Sequence, residues 1–170
     1  MGVGESSHPE FLTTLHDRSA ATLVDKAREA GVPVVWVQHS DKQPVKDSDV
    51  WQFAPELERR ESEPLVHKQH SDCLEDTDHK RVLARVGVRA LVVAGAETDA
   101  CMRSTIHGYF TRPSDVTLVD DAHTMNDMSP GGAPTPNLSI ANVNLYWQFP
   151  SAPGCTAAVF TVEDVFSKNS

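Results

Sequence analysis

VRALVVAGAETDACMRSTIHGYFTRPSDVTLVD, residues 88–120, holds a strand, a helix and a second strand in succession. VRALVVAG (88–95) is a valine-rich apolar run ending at Gly95, which reads as a strand. Beyond a short polar turn the pattern becomes helical, with Cys101 at its start and Arg103, Ile106 and Tyr109 along it. Pro113 lacks a backbone donor and halts that helix, and DVTLVD (115–120) follows as the next strand. A strand, a covering helix and a strand within this length form a parallel unit with a right-handed crossover.

The chain around this unit repeats the alternation. Leu12, Leu15, Leu23, Val24 and Ala27 recur at helical spacing and predict a helix from about Pro9 to Ala30, stopped at Gly31. VPVVWVQH (32–39) predicts a strand buried on both faces. A polar connection, 40–63, carries Trp51 and one short helix around Pro55–Arg60, and PLVHK (64–68) is a further strand. Asp76 or Thr77 caps a helix through Val86, which buries Val82, Leu83 and Val86 and stops at Gly87. After 115–120 come the Gly/Pro-rich loop MSPGGAPTPN, a helix at 137–148 and a strand at 156–162. The fold class is therefore α/β, a three-layer doubly wound sandwich with a mainly parallel sheet. Ligands in such sheets sit beyond the carboxyl ends of the strands. His39, Lys68, the Gly95–Cys101 turn and Asp121–His123 all fall at such ends.

Length and charge narrow the functions. At 170 residues and 18.6 kDa the chain is one domain, 1–170, large enough for a single core. A net charge of -9 and a pI of about 5.2 argue against nucleic acid and anionic membrane, and favour small uncharged or cationic ligands. MGVGESSHPEF lacks the layout of a secretory signal, so the expected compartment is the cytoplasm. Three widely spaced cysteines make no disulfide framework. Leu145, Tyr146 and Trp147 on the last helix offer more aromatic surface than one small sheet needs, so a homo-oligomer is expected.

Cys101 is the chemically suggestive residue. A helix N-terminus or a neighbouring cation favours the thiolate, and Cys101 and Lys68 are placed to meet both conditions. Backbone N–H groups of the 96–101 turn suit an oxyanion. The competing readings are a small helix residue packed on the sheet and a solvent-facing lysine. His67, His70 and Cys73 have an H-x2-H-x2-C spacing without a fourth ligand nearby, which argues against zinc. His39 and Asp41 either line a pocket or cap a loop, and a weaker reading joins them to His70 in a metal-dependent hydrolase. GVGESS is no phosphate loop, since no strand precedes it and no lysine follows.

The segments GVPVVWVQHSD, EPLVHKQHSDCLEDTD, VVAGAETDACMRSTIHG and VTLVDDAHT together resemble the isochorismatase-like cysteine hydrolase superfamily over roughly residues 20–165. The style of STIHG, DAHT and NLYW is nearest to its streptothricin-hydrolase-like members. The resemblance implies Cys101 as nucleophile, Lys68 as the polarising lysine, a cis bond between Ala96 and Glu97, and an oxyanion hole from the N–H groups of Glu97 and Cys101. His39, Trp51, His70 and Cys73 are the expected substrate contacts, and neither a cofactor nor a metal is expected, although some members of the family bind a metal and a minority hydrolyse an enol ether. The implied reaction is hydrolysis of a C–N amide or lactam bond in a small molecule through an acyl-enzyme. The family's third catalytic residue, an aspartate ending a central first strand, would fall at about Met1, where no apolar run occurs. The expectation is thus a sheet lacking the usual first strand between 32–38 and 88–95, and a Cys101 without an evident base. Glu97 places a carboxylate next to the thiol unless it points away. The alternative reading is a non-catalytic pseudoenzyme that binds a small molecule or assembles with a catalytic paralogue.

Overall fold

A computed structural model describes residues 10–40, 51–87, 90–112 and 114–167. In chain order the elements are α1 (Glu10–Glu29), β1 (Trp36–His39), β2 (Leu65–Lys68), α2 (His79–Val86), β3 (Ala90–Ala96), a π turn (Thr98–Met102), α3 (Arg103–Phe110), β4 (Asp115–Thr124), a 3-10 turn (Ser129–Gly131), α4 (Pro136–Trp147), β5 (Ser151–Ala152) and β6 (Cys155–Phe160). The α/β alternation and the mostly parallel strands are as the sequence implies.

Strand pairing divides the described strands into two sheets. β1 pairs in parallel with β2, from Trp36 opposite Leu65 to His39 opposite Lys68. The second sheet has the order β3-β4-β6-β5, parallel except for the short β5–β6 hairpin. Among the described residues no ladder joins β1 to β3. Both strands line one cavity of about 540 Å³, bordered also by Leu23 and Ala27 of α1 and by His79 and Leu83 of α2.

Two apolar clusters cover opposite faces of the larger sheet. On one, Leu23 of α1 meets Val119 and Ala122 of β4, with Val162 and Val165. On the other, Met102, Ile106, Tyr109 and Phe110 pack with Val116, Leu118, Val143 and Trp147. Trp147 is completely buried. It is core, not the outward aromatic that the sequence pattern suggested. The exposed apolar side chains of this region are Leu138, Leu145, Tyr146 and Phe149.

Other boundaries moved for identifiable reasons. β1 begins only at Trp36: Pro33 cannot donate to a ladder, and β2 offers four partner residues. It alternates buried and half-buried positions instead of being buried on both faces. β4 runs on to Thr124 because its register against β3 shifts between Val93 and Gly95, so Asp121–His123 lie inside a strand. Residues 55–60 form no helix: Pro55 and Glu56 lie in a turn and 57–60 are irregular. In α2 the buried residue is His79, while Val82, Leu83 and Val86 are half-buried, and Asp78 takes the cap position without a side-chain bond. Gly87 closes that helix at φ 71°, as a left-handed stop requires.

An ionic cluster ties β1 to α1. The Glu63 carboxylate accepts from Arg28 Nε at 2.8 Å, Trp36 Nε1 at 2.7 Å and Arg60 N at 3.0 Å, and Arg28 also donates to the Glu58 carbonyl at 2.7 Å. The Arg28 hydrogen bond, followed by those from Arg60 and Trp36, holds the Glu63 pKa down at about 2 against the opposing effect of burial. A depressed folded-state pKa stabilises above the unfolded value near 4.5 and loses that contribution as pH falls toward 2. Denaturant midpoints measured from pH 6 to pH 2 should show a loss on the order of 2 kcal/mol that is absent in Glu63→Gln.

Candidate active site

The carboxyl ends of β1, β2 and β3 converge on Cys101. β3 ends in Gly95 at φ 121°, a backbone conformation that side-chain-bearing residues rarely adopt. The next peptide bond, Ala96–Glu97, is cis. The Glu97 carbonyl then accepts from Ala100 N at 3.2 Å and Met102 N at 3.0 Å, which opens the π turn carrying Cys101. Single π turns of this kind are frequent at functional sites. The helix expected from Cys101 onward is thus a π turn that leads into α3.

Lys68, the last residue of β2, is 6% exposed and reaches this turn. Its Nζ donates to Cys101 Sγ at 2.9 Å, to the His70 carbonyl at 3.0 Å and to His39 Nδ1 at 3.3 Å. An ammonium has no lone pair, so His39 Nδ1 is the acceptor in that contact. Among the described residues no carboxylate forms an ion pair with Lys68.

The remaining candidates separate by surroundings. Trp51 Nε1 donates to the His39 carbonyl at 2.9 Å and to Ser40 Oγ at 3.1 Å, and its ring stacks on His67 at 5.8 Å. His39, Trp51, Lys68, Cys73 and Cys101 all line the cavity. His70 gives Lys68 its carbonyl, but the residue is exposed and does not line that cavity. Cys73 is 2% exposed beside Tyr109, and burial pushes its thiol pKa up, which keeps it protonated and inert. Among the described residues no group of three or more His, Cys, Asp or Glu side chains could hold a metal. Asp41 lies outside those residues.

Hydrogen bonds from beyond the turn brace it. Glu97 points away from the thiol: its carboxylate accepts from Asn126 N at 2.7 Å and Asn126 Nδ2 at 2.8 Å. Thr98 is fully buried, donates to the Thr124 carbonyl at 3.0 Å and lies 2.9 Å from His123 Nδ1. Asn144 Nδ2 donates to the Asp120 carbonyl at 3.0 Å, which turns its Oδ1 toward His123 Nε2 at 2.8 Å and makes that nitrogen a donor. The sequence places Asp121–His123 with the ligand-facing strand ends and shows DAHT and NLYW as family style, but it assigns no specific role to His123, Asn126 or Asn144. The polar Asn144 amid the apolar pattern of α4 was the available signal. Asp121, grouped with the site by its position, instead accepts from Val162 N at 2.9 Å beside β6.

Comparison with known proteins adds a context to this geometry. Residues 17–131 match the isochorismatase domain family. A secreted isochorismatase effector of Verticillium dahliae is 28% identical over 106 residues, 60% of this chain and 56% of its own length. The chain thus spans little more than half of that curated relative. An isochorismatase structure from Pseudomonas putida superposes with a TM-score of 0.77 at 22% identity, covering 94% of this chain and 83% of the other. A cysteine hydrolase from Pseudomonas syringae pv. phaseolicola reaches 0.79 at 18%, over 91% and 79%. N-carbamoylsarcosine amidase from Thermoplasma acidophilum reaches 0.72 at 19%, over 96% and 91%. At these identities the structural likenesses show a shared fold.

Proposed function

The chain belongs to the isochorismatase domain family, and from that membership we propose that it is a cysteine hydrolase cleaving a C–N amide or lactam bond in a small molecule through an acyl-enzyme, with chemistry nearest to streptothricin-hydrolase-like members. The observation that carries this reading is the 2.9 Å contact between the buried Lys68 ammonium and Cys101 Sγ, both of which line the cavity. A charge-assisted contact of this kind favours the nucleophilic form of sulfur. The backbone N–H groups of Glu97 and Cys101 are assigned to the oxyanion. The 540 Å³ cavity lies within the range of small-molecule sites. The amidase among the structural relatives acts on a C–N bond by its name, which agrees with this reaction class. No helix among the described residues is long and apolar enough to cross a membrane. A free thiol nucleophile suits a reducing compartment such as the cytoplasm.

Labelling tests the reading directly. Iodoacetamide at neutral pH should modify Cys101 at least about tenfold faster than Cys73 or Cys155, as read by peptide mass spectrometry. Lys68→Met should remove that preference. Equal rates at the three thiols would refute an activated nucleophile.

A further inference from the structure

The site holds a thiol and an ammonium in contact, yet among the described residues no carboxylate pairs with that ammonium. Hydrolysis of a C–N bond needs a group that gives a proton to the leaving nitrogen and later takes one from water. Resting on the cysteine-hydrolase reading, we propose that Lys68 is that group, a general acid and base in a Cys101–Lys68 dyad, with His39 as its positioning residue.

The geometry supports the assignment in two ways. Among the described residues, Lys68 Nζ is the titratable group that touches the nucleophile, at 2.9 Å, so a proton exchanged there reaches the reacting atoms without an intermediary. Its other hydrogens point to the His70 carbonyl at 3.0 Å and to His39 Nδ1 at 3.3 Å, which hold the nitrogen at the end of β2 whichever proton it gives up. His39 is itself held by β1 pairing opposite Lys68, and its carbonyl accepts from Trp51.

The proton balance closes with these two residues. Cys101 thiolate attacks the carbonyl carbon, forming C–S while the C=O π pair moves to oxygen. Collapse re-forms C=O and breaks C–N, and the departing nitrogen takes a proton from the Lys68 ammonium, leaving an amine. That amine removes a proton from water as its oxygen attacks the thioester carbon. Collapse breaks C–S, and the sulfur leaves as thiolate beside the restored ammonium. The sum is amide plus water giving acid plus amine.

Arginine separates charge from proton transfer, since it remains cationic and cannot release a proton at neutral pH. The probe is p-nitrophenyl acetate, whose leaving group departs without protonation, so that acylation and deacylation are read separately. Wild type should release a burst of nitrophenolate and then turn over. In Lys68→Arg the burst should persist while deacylation slows about 100-fold, so that acetylated Cys101 accumulates in the intact mass. His39→Gln keeps the lysine but loosens it, and should slow deacylation about tenfold. Deacylation at the wild-type rate in Lys68→Arg overturns the proposal, as does loss of burst and deacylation together in both folded variants. Asp17 is the carboxylate among the described lining residues of the cavity. Deacylation lost in Asp17→Asn but kept in Lys68→Arg would move the base there. Failure of wild-type Cys101 to become acetylated would instead remove the cysteine-hydrolase reading, and this proposal with it.

Discussion

Cys101→Ala should reduce turnover of p-nitrophenyl acetate by roughly 10⁴-fold or more and leave no acetylated protein in the intact mass. The size follows from what is removed. Without the thiol no acyl-enzyme forms, and the oxyanion donors and the ammonium can only polarise a carbonyl for direct attack by water. The fold should survive, because Cys101 is half-buried on a π turn held by the Glu97 carbonyl, the Glu97–Asn126 bonds and Thr98. A far-ultraviolet dichroism spectrum and a denaturant midpoint matching wild type will establish that. Hydrolysis persisting within tenfold of wild type in this variant would mean that the activity comes from elsewhere on the molecule. Cys73→Ala offers the contrast, since that thiol sits in the core beside Tyr109 and is held protonated by burial.

Trp147→Ala should cost roughly 3–5 kcal/mol of stability, read as a lowered urea midpoint at unchanged slope. Trp147 is fully buried, with Phe110 at 5.4 Å and 70° and His107 at 5.4 Å and 84° between ring planes. Its Nε1 donates to the Val116 carbonyl at 3.2 Å, so truncation opens a cavity and also removes a donor from a buried strand position. Because whole domains are stable by about 5–15 kcal/mol, this loss is a large share of the total. Trp147→Phe should recover most of it, since the ring contacts remain. A change below about 1 kcal/mol in Trp147→Ala would place this residue at a free surface, contrary to the packing of α4 on β4.

How far the fold was legible follows from particular elements. The run 88–95 reads as a strand because its aliphatic density has no other use before a glycine, and β3 occupies Ala90–Ala96. The α1 pattern needed only helical spacing, and Leu23 and Ala27 are its buried contacts. VPVVWVQH misled about length, because ladder formation depends on the partner strand as well as on apolar content, and β2 is four residues long. The extension of β4 to Thr124 depended on a register shift in β3, a property of two strands together. Of the site, His39 and Lys68 could be singled out at the carboxyl ends of strands and Cys101 on the turn beyond one. The role of His70 could not, since the structure uses its carbonyl and leaves the residue exposed.

By itself, the order of apolar runs and glycine or proline stops determined an α/β chain with Cys101 just beyond a strand, because periodicity and backbone restrictions act locally. Tertiary structure alone decided which polar groups meet. It set Lys68 against Cys101 across 33 residues, turned Glu97 toward Asn126, buried Trp147 and left β1 and β3 unpaired with each other among the described residues. Those outcomes depend on distances between segments far apart in the chain, and a distance of 2.9 or 3.3 Å at Lys68 Nζ has no counterpart in residue order.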